Sequence, residues 1–194
     1  TKWTIIEPNP TVKESEDVKV IKGFFGDNFT TDTKYDAVIH SHLFEHIYNP
    51  DSFLEKIQSI TNEDGFMLFS VPNLEVMLKL KYTNFLNFEH TIYLTEPYIE
   101  HLLNKHGFDI VGKRWFKDNH SIFYCARKSK SVVCKPVDSN LYLKNKTMFE
   151  EHINYHRNLV SNINNIIDEK PAFLFGAHVF SQFLISFGLN TNKI

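Results

Sequence analysis

The segment His42-Leu43-Phe44-Glu45-His46 places two imidazoles and a carboxylate close together in the chain. It matches H-x-x-E-H, in which two histidines at helical spacing bind zinc and the glutamate activates a water. One reading is therefore a zinc hydrolase built on His42, Glu45 and His46. Such a centre needs a third protein ligand, and Glu89 or His90 could supply it, although neither sits in a recognisable partner motif. Glu89-His90 suggests a second chemistry. A neutral histidine accepts a proton near pH 7, and an adjacent acid can orient it or tune its pKa. Glu7 ends an early apolar run. In open α/β sheets ligands bind beyond the carboxyl ends of strands, where an acid can accept both hydroxyls of a ribose. A solvated turn carboxylate would look the same.

These residues need strands and helices to position them. Trp3-Thr4-Ile5-Ile6 is β-prone and is stopped by Glu7-Pro8-Asn9-Pro10; Val18-Lys19-Val20-Ile21 is a second strand leading into Gly23-Phe24-Phe25-Gly26-Asp27. Tyr35-Asp36-Ala37-Val38-Ile39 is a buried strand that runs into His40-Ser41-His42. Asn49-Pro50-Asp51 starts a helix with Phe53, Leu54, Ile57 and Ile60 on one face, and Asp64-Gly65 turns into a strand from Phe66 to Val71. Residues 74–94 are aromatic and polar without a clean period, as expected of a lid or substrate loop. Thr95-Glu96-Pro97 begins a helix with Ile99, Leu102 and Leu103 inside, and Gly107 ends it. Asp109 to Trp115 and Ser121 to Ala126 predict an antiparallel hairpin at a sheet edge, with His120 at its turn. A long helix follows from Leu141 to Asp168, broken at Lys170-Pro171. Ala172-Phe173-Leu174-Phe175 then reads as an apolar strand, and after Gly176-Ala177-His178 a last helix runs to a Gly188 stop. The alternation to residue 115 predicts an α/β fold with a mainly parallel sheet.

Composition narrows the function classes. The chain has 194 residues, 42% hydrophobic and 14% aromatic with 18 Phe, enough for a sizeable core, and its formal net charge is −2. No cluster of Lys or Arg stands out, so the sequence predicts neither nucleic-acid binding through phosphates nor, lacking a long apolar run, a membrane span. Cys125 and Cys134 form neither a disulfide framework nor a paired metal motif, which fits reduced thiols in a cytoplasmic protein.

The order from Tyr35 to Asn73, a strand, an acidic-aromatic turn, a helix and a strand, resembles the middle of class I S-adenosylmethionine-dependent methyltransferases. The resemblance covers residues 3–127. It implies a Rossmann-like sheet and S-adenosylmethionine as cofactor. By the same resemblance, Glu7 holds the ribose, Phe24 and Phe25 pack on the adenine, and His40, Ser41 and His42 lie beside the methionine part. Many relatives carry an acid where this chain has Gly23. Asn87-Phe88-Glu89-His90 resembles the Y-x-E-H segment of sugar C-methyltransferases from deoxysugar biosynthesis, with Asn87 in place of the tyrosine. This implies His90 as base, Glu89 as its partner, and a sugar or nucleotide-linked sugar as acceptor of a C- or O-methylation, with Tyr82 or Tyr93 available in place of the missing phenol.

The family's glycine-rich turn after its first strand has no counterpart, since the chain has 7 glycines and no G-x-G. The expectation is an internal piece that starts at the family's second strand. The expected domains are a methyltransferase core over 1–128, a linker and long helix over 129–170, and over 171–194 the start of a second α/β unit, which resembles the C-terminal domain of the same sugar family. Oligomerisation stays open. The alternatives are the zinc hydrolase and a non-catalytic methyltransferase-like scaffold.

Overall fold

A computed structural model describes residues 1–194 apart from Asp27, Asn28, Phe88, Pro171 and Ala177. Parts of the motifs named above, Asp27, Phe88, Pro171 and Ala177, thus lie outside the described residues.

Strands β1 (Trp3–Glu7) and β2 (Val18–Lys22) pair in parallel as a two-stranded sheet. Strands β3 (Tyr35–Ser41), β4 (Thr61–Pro72), β5 (Phe108–Phe116) and β6 (Ser121–Lys128) form a second sheet in the order β3-β4-β6-β5. β3 and β4 are parallel, and β6 runs antiparallel to both β4 and β5. The expected edge hairpin is present. Its turn holds Lys117, Asp118 and Asn119 at φ of 43°, 52° and 66°, three successive left-handed residues. The architecture is α/β and Rossmann-like. Among the described residues β1 pairs with β2 and β3 with β4, and no ladder joins the two sheets. A groove lies between them, lined by Trp3, Ile5, Val18, Val38 and His40 among others.

A parallel pair needs a crossover, and helix α1 (Pro50–Ile60) supplies it between β3 and β4. Asn49 caps α1 by accepting from the Ser52 N–H at 3.1 Å, and Pro50 occupies the first helical position, where no N–H is required. The inner face of α1, with Phe53, Leu54 and Ile57, packs on Met67, Phe69 and Val71, alternate residues of β4. Helix α3 (Glu96–Lys105) adds Ile99 and Leu103 to the same core, and β6 adds Ile122, Tyr124 and Ala126. Period-3.6 and period-2 patterns therefore meet on one face of the sheet. On the other face Ile39, Phe66, Leu68 and Phe123 remain exposed.

The stretch expected to be irregular contains a short helix, α2 (Leu74–Lys79), capped by Asn73. Leu74, Met77, Leu78 and Phe85 form a second cluster against Met148 and Phe149 of the long helix α4 (Leu141–Glu169). The far end of α4 packs Val160 and Ile167 on Leu184 of helix α5 (Val179–Ser186) and on Leu189. The strand expected at Ala172–Phe175 is not formed. Residues 172–176 have no regular structure, with Phe173 and Phe175 exposed. A strand needs a neighbour to satisfy its backbone, and none lies beside this segment among the described residues. The described part of the expected second α/β unit is therefore helical, consisting of α5 and the 3₁₀ turn Thr191–Lys193. No helix among the described residues is long and apolar enough to cross a membrane.

Candidate functional site at the carboxyl ends of β3 and β4

The ends of β3 and β4 are tied together. The Ser41 and Ser70 hydroxyls lie 2.7 Å apart, and the His42 N–H donates to the Ser70 carbonyl at 2.9 Å. The chain then bends sharply, with His42 at φ 47° and a single 3₁₀ turn over Phe44–His46. The H-x-x-E-H segment is therefore not on an α-helix, so His42 and His46 do not share the helical face that the zinc-hydrolase reading needs. His42 turns its Nδ1 to Glu45 Oε1 at 3.1 Å instead, and its Nε2 lies 3.5 Å from the Ser121 hydroxyl. Ser121 in turn sits 2.9 Å from His120 Nδ1.

His40 faces inward. Its ring stacks on Phe69 and meets Phe53 edge-on, with centroids at 5.1 and 5.5 Å. Both ring nitrogens are buried without a hydrogen-bond partner among the described residues. That burial lowers its pKa to about 4, so the ring is neutral and packs as an aromatic.

The segment carrying Glu89 and His90 is stitched to the 3₁₀ turn. Asn87 Oδ1 accepts from the N–H groups of Glu89 and His90 at 2.9 and 3.1 Å. The Glu45 carbonyl accepts from the N–H groups of Thr91 and Ile92 at 2.9 and 3.3 Å. The His46 ring donates through Nδ1 to the Glu89 carbonyl at 2.8 Å, since a carbonyl can only accept. Tyr93 donates its hydroxyl to the Asn87 carbonyl at 3.3 Å. These bonds set the His90 ring beside that of His46, with centroids 4.9 Å apart.

His90, Glu45 and Tyr93 line one small cavity, whose other walls include Phe44, Val71 and Phe85. Burial raises the Tyr93 pKa, which keeps the phenol protonated and able to donate. The expected partner of His90 is not the one the structure brings near. The Glu89 side chain is exposed, and no bond joins it to His90 among the described residues. The carboxylate close to His90 is that of Glu45: one ligand atom each from Glu45, His46 and His90 lie within 4.8 Å of one another. No local sequence signal marks Ser121. It reaches His42 because β6 pairs Ser121 with Pro72, at the end of β4.

The residues expected around the cofactor lie at or just beyond the ends of β1, β2 and β3. Glu7 ends β1 and is exposed; its carboxylate accepts from the Asn9 N–H at 3.4 Å, and its carbonyl accepts from the Gly23 N–H at 3.2 Å. That second bond holds the Gly23 turn against the end of β1. Phe24 is 80% exposed, whereas Phe25 packs on Phe53 and Phe29 with centroids at 5.7 and 5.4 Å. The exposed Glu7 carboxylate keeps acceptor capacity and Phe24 an exposed ring, the chemistry that ribose hydroxyls and a purine would call for. Phe25 supports the turn from within the core.

The methyltransferase domain family matches residues 3–113. Among solved structures, a candidate methyltransferase of Bacillus halodurans C-125 superposes with a TM-score of 0.52 at 12% identity, over 67% of this chain and 84% of that one. A candidate methyltransferase of Haloferax volcanii, solved in complex with the Trm112 methyltransferase activator, gives 0.50 at 12% identity, over 60% of this chain and 64% of that one. No curated protein matches the chain. At such identities the superpositions establish the fold. The family match spans both halves of the site, from Glu7 to His90, and on it the chain belongs to the methyltransferase domain family, enzymes that take their methyl group from S-adenosylmethionine.

Proposed function

We propose that this methyltransferase acts on a sugar or nucleotide-linked sugar, with His90 as the base. The observation that carries the reading is the set of bonds made by Asn87 and by residues 89–92, which holds His90 on a cavity at the carboxyl ends of β3 and β4, next to the protonated phenol of Tyr93. A proton acceptor beside a neutral donor is the pairing that methylation next to a ketone requires. Tyr93 takes the place of the phenol that Asn87 lacks. Glu45, rather than Glu89, is the carboxylate available to orient the imidazole.

Glu7 and Phe24 would hold S-adenosylmethionine, which when bound would supply an electrophilic methyl on a sulfonium with a neutral thioether as leaving group. For a carbon acceptor, His90 would take the α proton, and Tyr93, on releasing its bond to the Asn87 carbonyl, would donate its hydroxyl to the enolate oxygen. For a hydroxyl acceptor, the same ring takes the hydroxyl proton and the oxygen attacks. Ser41 and His42, at the end of β3, would flank the methionine part, and His40 shapes that wall from inside the core. The free thiols Cys125 and Cys134 support a cytoplasmic setting. The groove between β1 and β3 supports the reading that one further strand, absent from these residues, pairs there. On this reading the chain divides into a methyltransferase core over 1–128, a linker and long helix over 129–170 and the start of a second unit over 171–194.

The test is transfer of labelled methyl from S-adenosylmethionine to a panel of nucleotide-sugars, ketosugars included. Wild type should label at least one member, and the labelled atom separates C- from O-methylation. His90→Gln should lose roughly 10²-fold or more in kcat with unchanged affinity for S-adenosylhomocysteine. A His90→Gln enzyme of wild-type rate, or label reaching none of the sugars, overturns the proposal.

A further inference from the structure

We propose that Glu45, His46 and His90 form a binding site for a first-row divalent metal ion such as Zn²⁺. This inference does not rest on the methyltransferase reading. It also differs from a helical H-x-x-E-H centre, because His42 is spent on Glu45 and the third ligand comes from a distant segment.

Three observations carry it. First, one ligand atom from each residue lies within 4.8 Å of the others. A filled tetrahedral site with bonds of about 2.0–2.1 Å separates its ligands by about 3.3–3.5 Å, so the three ligand atoms need approach one another by no more than about 1.5 Å. Second, the Glu45 side chain is only 8% exposed, and its Oε2 is buried with no hydrogen-bond partner among the described residues, while Oε1 meets His42. A buried carboxylate oxygen without a partner is costly, and a cation beside it removes the cost. Third, His46 donates its Nδ1–H to the Glu89 carbonyl, which fixes the tautomer and leaves the Nε2 lone pair free. Metal-bound histidines are generally held by such a second bond from the far nitrogen. Two imidazoles and one carboxylate, with the cavity open beside them, leave a coordination position for a water or an acceptor oxygen.

The site and the base role draw on the same residue. A metal on the His90 lone pair prevents that ring from taking a proton, so the Zn²⁺-loaded protein should lose methyl transfer through His90 while still binding S-adenosylhomocysteine.

The test is titration of the apo protein with Zn²⁺, and separately with Co²⁺ followed by its visible absorption, with no cofactor or acceptor present. One equivalent should bind at micromolar or lower concentration. His46→Gln and His90→Gln should each weaken binding by about tenfold or more and change the Co²⁺ spectrum. Thermal unfolding of each variant establishes that it is folded. The exposed Cys134 Sγ lies 3.6 Å from His101 Nδ1 and could hold zinc on its own. Cys134→Ser should therefore leave the titration unchanged. Absence of saturable binding, or binding insensitive to both histidine variants but lost in Cys134→Ser, overturns the site. Because no methyl transfer is read, failure here leaves the sugar-methylation proposal standing, and failure of that proposal leaves the titration result standing.

Discussion

Replacing Asn87 with alanine should loosen the segment that positions His90. Asn87 Oδ1 accepts two backbone N–H bonds, from Glu89 at 2.9 Å and His90 at 3.1 Å. Each such neutral bond contributes about 0.5–1.5 kcal/mol net, so their joint loss costs the closed segment about 1–3 kcal/mol. At about 1.4 kcal/mol per factor of ten, opening becomes roughly 5- to 150-fold more frequent. The readout is amide hydrogen exchange at Thr91 and Ile92, whose N–H groups are closed onto the Glu45 carbonyl. Their protection should fall by that factor, while amides of β4 in the core stay as in wild type. Asn87→Asp keeps an acceptor and should retain most of the protection. Unchanged exchange at Thr91 and Ile92 in Asn87→Ala would refute the idea that the side chain of Asn87 holds the segment, and with it the role given to Asn87 in place of the tyrosine.

Two further perturbations test the packing beneath the site. His40 has its pKa lowered by burial to about 4, against 6.5 for the free group. The unfolded chain therefore binds the extra proton first, and the stability from the neutral buried ring is complete above about pH 6.5 and lost as pH falls towards 4. That loss is about 2 kcal/mol by pH 5. His40→Phe, which suits the stack on Phe69, should reduce the difference between urea midpoints at pH 7.5 and 5; equal differences in variant and wild type would count against the assignment. His152, also lowered to about 4 mainly by burial, accounts for a further part of the dependence in the same direction. Gly65→Ala should destabilise by about 1–3 kcal/mol, because its Cβ would lie 2.8 Å from Thr61 Cγ2 and 2.9 Å from the Asn62 carbonyl oxygen. An unchanged thermal midpoint would show that β4 around Gly65 gives way more readily than its backbone contacts imply.

The parts of the fold legible in the sequence were those with a strong local period or cap. Asn49-Pro50 marked the start of α1, Thr95 to Pro97 that of α3, and Phe66 to Val71 is a short apolar run that forms a strand. Helix α2 escaped notice because Leu74–Lys79 is too short to show a period within an aromatic stretch. The apolar run Ala172–Phe175 misled, since hydrophobicity alone does not provide a strand with a partner. The site was half legible. His90 was marked by its motif, but the carboxylate beside it depends on where the 87–92 segment folds back, and that return is made by backbone bonds to Glu45. Likewise the left-handed His42, which keeps H-x-x-E-H off an α-helix, leaves no composition signal.

The position of β6 between β4 and β5 bears on how the chain is made. β6 is synthesised after both of its neighbours, so β4 has one open edge until Lys128 has left the ribosome. During that interval an apolar strand edge is available to other chains, the condition under which misassociation begins. The hairpin β5-β6 is local in sequence and closes through the left-handed turn at Lys117 to Asn119. It can form before it meets β4, and local pairings form fastest. Sheet assembly then becomes the docking of two finished pieces, β3-α1-β4 and β5-β6, and the speed of one tight turn governs how long the nascent protein is vulnerable.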